Sequence, residues 1–220
     1  MDVQRKPIIY KMNEHLEHLK EIRSLMERSS KFLSLSGLSG ISAGVGALLG
    51  AWYAYTKLHV DGSSVLNNPE IRHEMVTQLV IGALIVLAFA FLFGILFTVR
   101  KARKQGLNVW NKTSKLLLLN LMIPLGAGGG FCLGMLYHGF FWLCFPATLV
   151  FYGVALVSAS KYTMHDIFYL GIVEILLGII SLFLAKYNLI FWAIGFGVLH
   201  IVYGTVMYYK YDRQTTPNES

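Results

Sequence analysis

Glu174 and His200 are the residues whose types and spacing first suggest chemistry. Glu174 is the only acidic side chain within Ile167 to Ala185, an otherwise apolar run. In lipid a carboxylate is costly unless it is protonated, paired or facing a wet cavity. If two helices turn near Tyr187, Glu174 lies thirteen residues before the turn and His200 thirteen residues after it. At ~1.5 Å per residue both then sit at one depth, roughly 12 Å from the inner membrane surface. A carboxyl and an imidazole at matched depth can share a proton, relay protons or bind a cation. The simpler reading is an interhelical hydrogen bond that fixes packing, worth ~1 kcal/mol or less.

Other polar positions say less. Cys132 and Cys144, the only two cysteines, each lie six residues from His138, where another pair of helices turns. They share a depth near the outer surface, as a disulfide or, more commonly for such positions, as free buried thiols. His15 and His18 stand one helical turn apart beside Glu14 and Glu17. His15-Leu16-Glu17-His18 is one residue short of H-x-x-E-H and is not H-E-x-x-H, so it reads as a solvated face and no metal is assigned. Asn120 and Pro124 add polarity and a kink to one helix. Asp166 suits a helix N-terminus through the helix dipole. Asn111-Lys112-Thr113 is a sequon on the wrong side for glycosylation. Phosphate-binding glycine loops, a nucleophile elbow and paired-cysteine motifs are missing, so neither a cofactor nor an enzymatic activity is expected.

The elements that must position these residues are membrane spans. Of the 220 residues, 55% are hydrophobic and only 14% charged, with 21 glycines. Phe32 to Thr56, Met75 to Val99, Leu116 to Ser160 and Tyr187 to Tyr209 carry no Asp, Glu, Lys or Arg. About 20 apolar residues cross the hydrocarbon as a helix, and lipid leaves no other way to pair the backbone. The expected fold is all-α. It has six transmembrane helices, over 33–56, 77–99, 116–137, 141–159, 166–185 and 188–208, arranged as three antiparallel hairpins. The expected division is a cytoplasmic amphipathic helix over 1–31, a membrane domain over 32–209 and a cytoplasmic tail over 210–220. No cleavable signal is expected ahead of the spans.

The net charge of +7 orients the chain and does not imply nucleic acid. Of the 19 basic residues, all but Lys57, Arg72 and Lys186 fall on one side of the spans. The positive-inside rule makes that side cytoplasmic, and it holds both termini.

Glycine rows mark close packing. Ser36, Gly40 and Gly44 form one row and Ser42, Gly46 and Gly50 another, both in the first span. Gly126, Gly130 and Gly134 form a third, in the third span. Such faces let helices approach, inside one chain or between copies, or border a pathway between spans one and three. Ser42 to Gly46 can be laid over Gly126 to Gly130, and Phe93-Gly94, Tyr152-Gly153 and Tyr203-Gly204 recur, as internal repeats would. Ahead of the spans, Ile9, Met12, Leu16, Leu19, Ile22 and Met26 repeat at helical steps. That stripe suits the membrane interface, a second copy or a cytoplasmic protein partner.

Met12-Asn13-Glu14-His15-Leu16-Glu17 through Ser34-Leu35-Ser36-Gly37-Leu38-Ser39-Gly40 resembles a group of uncharacterised six-span bacterial membrane proteins. The resemblance implies a bacterial inner membrane and brings no activity. Two functions remain. The first is a non-enzymatic accessory or interaction protein in the bilayer, acting through the N-terminal helix and, as a homo-oligomer, through its glycine faces. The alternative is a small proton- or cation-coupled channel or transporter built on Glu174 and His200. Reporter tags on the two ends should both be protected in sealed right-side-out vesicles; protection of only one would overturn the six-span reading.

Overall fold

A computed structural model describes residues 36–60, 69–104, 106 and 109–212 of the chain. The expected helix over residues 1–31, with His15 and His18, lies outside the described residues, as does the tail from residue 213. Every regular element among the described residues is helical. They are α1 (Gly37–Val60), α2 (Pro69–Lys104), α3 (Lys112–Tyr137), α4 (Phe141–Tyr162), α5 (Asp166–Phe183) and α6 (Ala185–Asp212). α4 begins and ends in a tight 3-10 turn. α6 carries two widened π-helical stretches, Ala193–Leu199 and Tyr208–Asp212.

Five helices, α2 to α6, are long and apolar enough to cross a membrane. α1 is not among them, although its 24 residues reach ~36 Å. Glycines, serines, Trp52, Tyr53, Tyr55 and Lys57 dilute its apolar character. The small residues responsible are the ones that let other helices come close.

Burial is distributed as a lipid solvent demands. Leu49, Ile123, Leu133 and Phe183 are exposed, while half of the buried hydrophobic positions are alanines, among them Ala47, Ala51, Ala147, Ala155 and Ala159. Glu174, Ser181, Asn188 and His200 are buried with them. In water this arrangement would waste the hydrophobic effect; in hydrocarbon it costs nothing and shelters the polar groups.

α1 packs on α2 and, more extensively, on α6; α3 packs on α4, and α4 on α5. α5 lies against α4 far more than against α6, so the expected pairing of spans five and six is not the main contact of either helix. The reason is glycine placement. A Cβ on Gly153 of α4 would stand 2.6 Å from the Gly171 carbonyl oxygen of α5, and one on Gly171 would stand 2.8 Å from the Gly153 oxygen. A Cβ on Gly204 of α6 would lie 2.6 Å from the Ile41 amide of α1, and one on Gly40 would lie 3.1 Å from Gly204 Cα. These helices meet backbone to backbone, with no room for a side chain.

Polar ties close both ends. At one end the Asp212 carboxylate on α6 accepts from the Gly37 amide (3.0 Å) and the Ser36 hydroxyl (3.1 Å), capping α1, and lies 2.6 Å from Lys101 Nζ on α2. Beside it, Asp166 at the start of α5 accepts from Tyr211 (2.7 Å) and Lys210 (3.0 Å) on α6. At the other end Ser181 donates to Asn188 (2.8 Å), whose amide donates to the Trp142 carbonyl (2.9 Å). The start of α1 and the end of α6 are thus neighbours on one face.

Gly153→Val should force α4 from α5 and lower the melting temperature in detergent, as overpacking by ~1–3 kcal/mol does. Gly130→Val, which meets nothing within 4 Å, should leave the monomer's stability nearly unchanged. Equal losses in the two variants would contradict this account of the packing.

Candidate functional site

The centre of the bundle brings Glu174 and His200 together. Gly171 and Gly178, flanking Glu174 on α5, press that helix onto α4, where Leu149 is fully buried. Gly195 of α6 leaves room for the carboxyl group: a Cβ there would sit 2.5 Å from both Glu174 Oε2 and Leu149 Cδ2. Gly195 belongs to the π-helical stretch Ala193–Leu199, and His200 follows directly. Irregular turns of this kind, widened by one residue, are frequent at functional sites.

His200 is held on both ring nitrogens. Nδ1 lies 2.9 Å from the Gly195 carbonyl oxygen, and Nε2 lies 2.7 Å from the Tyr152 hydroxyl on α4. A carbonyl only accepts, so Nδ1 carries the proton and Nε2 accepts from Tyr152. The neutral ring is thereby fully satisfied in one tautomer. Phe196 packs beside it, 5.9 Å between centroids, and Tyr152 and Trp192 each stack on Phe196 at 5.0 Å. The imidazole is walled by aromatic rings.

Glu174 is held differently. It is 0% exposed, and neither carboxyl oxygen has a hydrogen-bond partner. Oε1 stands 3.6 Å from His200 Nδ1, too far for a hydrogen bond and close enough to form one after a small movement. An unsatisfied buried polar group costs ~1–3 kcal/mol. The site therefore offers one carboxyl, one imidazole in a fixed tautomer, one phenol and one backbone carbonyl. These can hold or pass a proton. Among the described residues, no group of three or more His, Cys, Asp or Glu side chains could hold a metal ion.

The other expected positions separate. Gly40 and Gly44 face α6, at Gly204, Gly197 and Ile201; Gly46 and Gly50 face Phe89 and Val86 of α2. Gly126, Gly130 and Gly134 on α3 have open space where a Cβ would stand, unlike Gly128, which Phe151 fills. The segments laid over one another as repeats thus pack differently, and α1 borders α2 and α6 where a pathway between spans one and three would need α3. Cys132 and Cys144 are free, the Cys144 thiol 3.7 Å from the Cys132 carbonyl. Asn120 donates to Leu116 within its own helix. Asn111 of the sequon caps α3, accepting from the Ser114 amide at 2.8 Å.

Tyr152, the buried Ser181–Asn188 pair and Asp212 were not singled out by their chemistry in the sequence. The recurring Tyr152-Gly153 dipeptide was the one signal for Tyr152, since it puts a phenol beside a glycine contact.

Replacing Glu174 by Met removes the unsatisfied carboxyl while keeping its volume. The variant should be at least as stable as wild type, by up to ~1–3 kcal/mol, in thermal unfolding in detergent. A clear loss of stability would assign Glu174 to packing.

The chain matches no known protein family, no curated protein and no solved structure, so a functional reading rests on this geometry.

Proposed function

We propose that this chain is a six-span protein of a bacterial inner membrane, with both termini cytoplasmic, and that it is not an enzyme. Its bundle exchanges a proton or small cation at Glu174 and His200, as a small coupled transporter or channel does. The observation that carries this reading is the fully buried Glu174 carboxyl, without a hydrogen-bond partner and 3.6 Å from His200. Ionisable groups in membrane helices that face the bundle interior mark ion and proton pathways. For the topology, α1 serves as the sixth span, and the bond between Ser36 and Asp212 favours an even number of crossings. The basic residues of the side that holds both ends make that side cytoplasmic.

A second reading, a non-enzymatic accessory protein acting by association, is favoured by one feature. The α3 glycines are unfilled, and Gly costs a helix ~1 kcal/mol relative to Ala unless close contact repays it. A second copy or another membrane protein would supply that contact, and Gly130→Val would then dissociate the complex.

Proteoliposome flux separates the readings. Wild type should dissipate an imposed proton or cation gradient, while Glu174→Gln and His200→Ala should fall to the protein-free background. Equal flux in all three at that background would reject exchange through the site.

A further inference from the structure

The site's donor set narrows what it takes up. This inference rests on the exchange reading above and deepens it. An alkali or divalent cation needs several oxygen or nitrogen ligands converging on one point. Among the described residues, the groups placed at Glu174 that could bind a cation are its own two carboxyl oxygens, the Gly195 carbonyl and His200, with the Tyr152 hydroxyl on the far side of the ring. Both ring nitrogens of His200 are committed, and the Gly195 carbonyl accepts from Nδ1. That leaves one carboxyl group, which suits a proton and is too little for a metal.

We infer that the exchanged species is a proton carried by Glu174, that the His200 Nδ1–H is the switch answering its loss, and that Tyr152 is the positioning residue that keeps this switch armed. With Glu174 protonated, Nδ1–H donates to the Gly195 carbonyl, 2.9 Å away, and the carboxyl needs no counter-charge. When the proton leaves, the carboxylate is the stronger acceptor, and Nδ1–H turns from Gly195 to Oε1, across a gap of 3.6 Å. One proton is released, and no bond other than the carboxyl O–H is broken. The ring keeps its own proton throughout.

Tyr152 completes the hold on the ring. The Gly195 carbonyl, which can only accept, sets the ring proton on Nδ1, facing Glu174, and the Tyr152 hydroxyl adds to that preference by donating to Nε2 at 2.7 Å. Without that hydroxyl Nε2 is left a bare buried acceptor, and the Nδ1 tautomer loses its second hydrogen bond. The titratable groups facing the site are Tyr152 from α4, Glu174 from α5 and His200 from α6. α1 meets this part of α6 through Gly44 and Leu48, which carry no charge. The structure places no described basic side chain beside the carboxyl group to take the place of His200 as its donor.

The test uses the full-length protein in liposomes, with nitrogen-15-labelled histidine observed by solid-state NMR and carboxyl protonation by infrared difference spectroscopy across a pH series. In wild type, loss of one carboxyl C=O band should coincide with a shift of a single Nδ1 resonance. Both changes should vanish in Glu174→Gln. Tyr152→Phe should weaken the contrast between the Nδ1 and Nε2 signals of His200, while Tyr203→Phe, whose ring has no bond to His200, should preserve it. Spectra in sodium, potassium and choline buffers at equal ionic strength should be the same.

A band that responds to the identity of the cation would overturn the assignment to a proton. An unchanged His200 tautomer in Tyr152→Phe would overturn the positioning role. Flux without any Glu174-dependent band would sink this inference and leave the exchange reading standing. The band without flux would do the reverse.

Discussion

Where Gly153 of α4 meets Gly171 of α5, and Gly40 of α1 meets Gly204 of α6, helix backbones touch with nothing between them. The rest of the bundle depends on these contacts. Lipid tails are as apolar as leucine, so burying leucine gains little in a bilayer, and helices associate through dispersion contacts at close range and through hydrogen bonds. Glycine gives up side-chain contacts to gain backbone ones. Glycine and alanine consequently make up much of the core, beside a cluster of Leu156, Met164, Ile167, Leu170 and Met207, and many bulky side chains point outward.

That packing is what permits a carboxyl group at the centre. Two glycine contacts fix α5 on α4 and α6 on α1, and Gly195 leaves space between α5 and α6 where a larger residue would collide with Glu174. A less constrained bundle would turn an unsatisfied carboxyl towards solvent or a nearby donor. Here the helix ends are also pinned, by Asp212 and Asp166 at one end and by Ser181 with Asn188 at the other. Neither α5 nor α6 can rotate Glu174 or His200 away without breaking those ties. The cost of the strained position is carried by contacts far from it.

Level along the helix axes was readable from sequence, and rotation about each helix was not. Counting from the turn near Tyr187 put Glu174 and His200 at one level, because rise per residue is fixed and the turn is short. Tyr152 lies on α4, beyond a second turn, and its approach to His200 depends on how α4 is rotated against α6. That rotation is set by Gly153 and Leu149 of α4, which meet Gly171 of α5 and Gly195 of α6. Glycine rows have the same ambiguity. Gly44 and Gly130 look alike in sequence, yet one is sealed against α6 and the other is open, since whether a small face is filled is a property of its neighbour. The count of spans shows the trade directly. The residues that make α1 the partner of two helices are those that lower its apolarity below that of the other five.

The π-helical stretch of α6 joins these observations. Gly195 and Gly197 lie two residues apart and face opposite neighbours: a side chain at 195 would meet Glu174 and Leu149, one at 197 would meet Leu48 of α1. Any change in how the Nδ1–H of His200 is shared between Gly195 and Glu174 acts on that stretch directly, because Gly195 supplies the competing acceptor. Further along, α6 ends in its second π-helical stretch, Tyr208–Asp212, whose Asp212 caps α1 and pairs with Lys101 of α2. The carboxyl group on α5 is thus linked through α6 to α1 and α2. α3 stands apart from that route: it packs mainly on α4, and its Gly126, Gly130 and Gly134 have open space where a Cβ would stand.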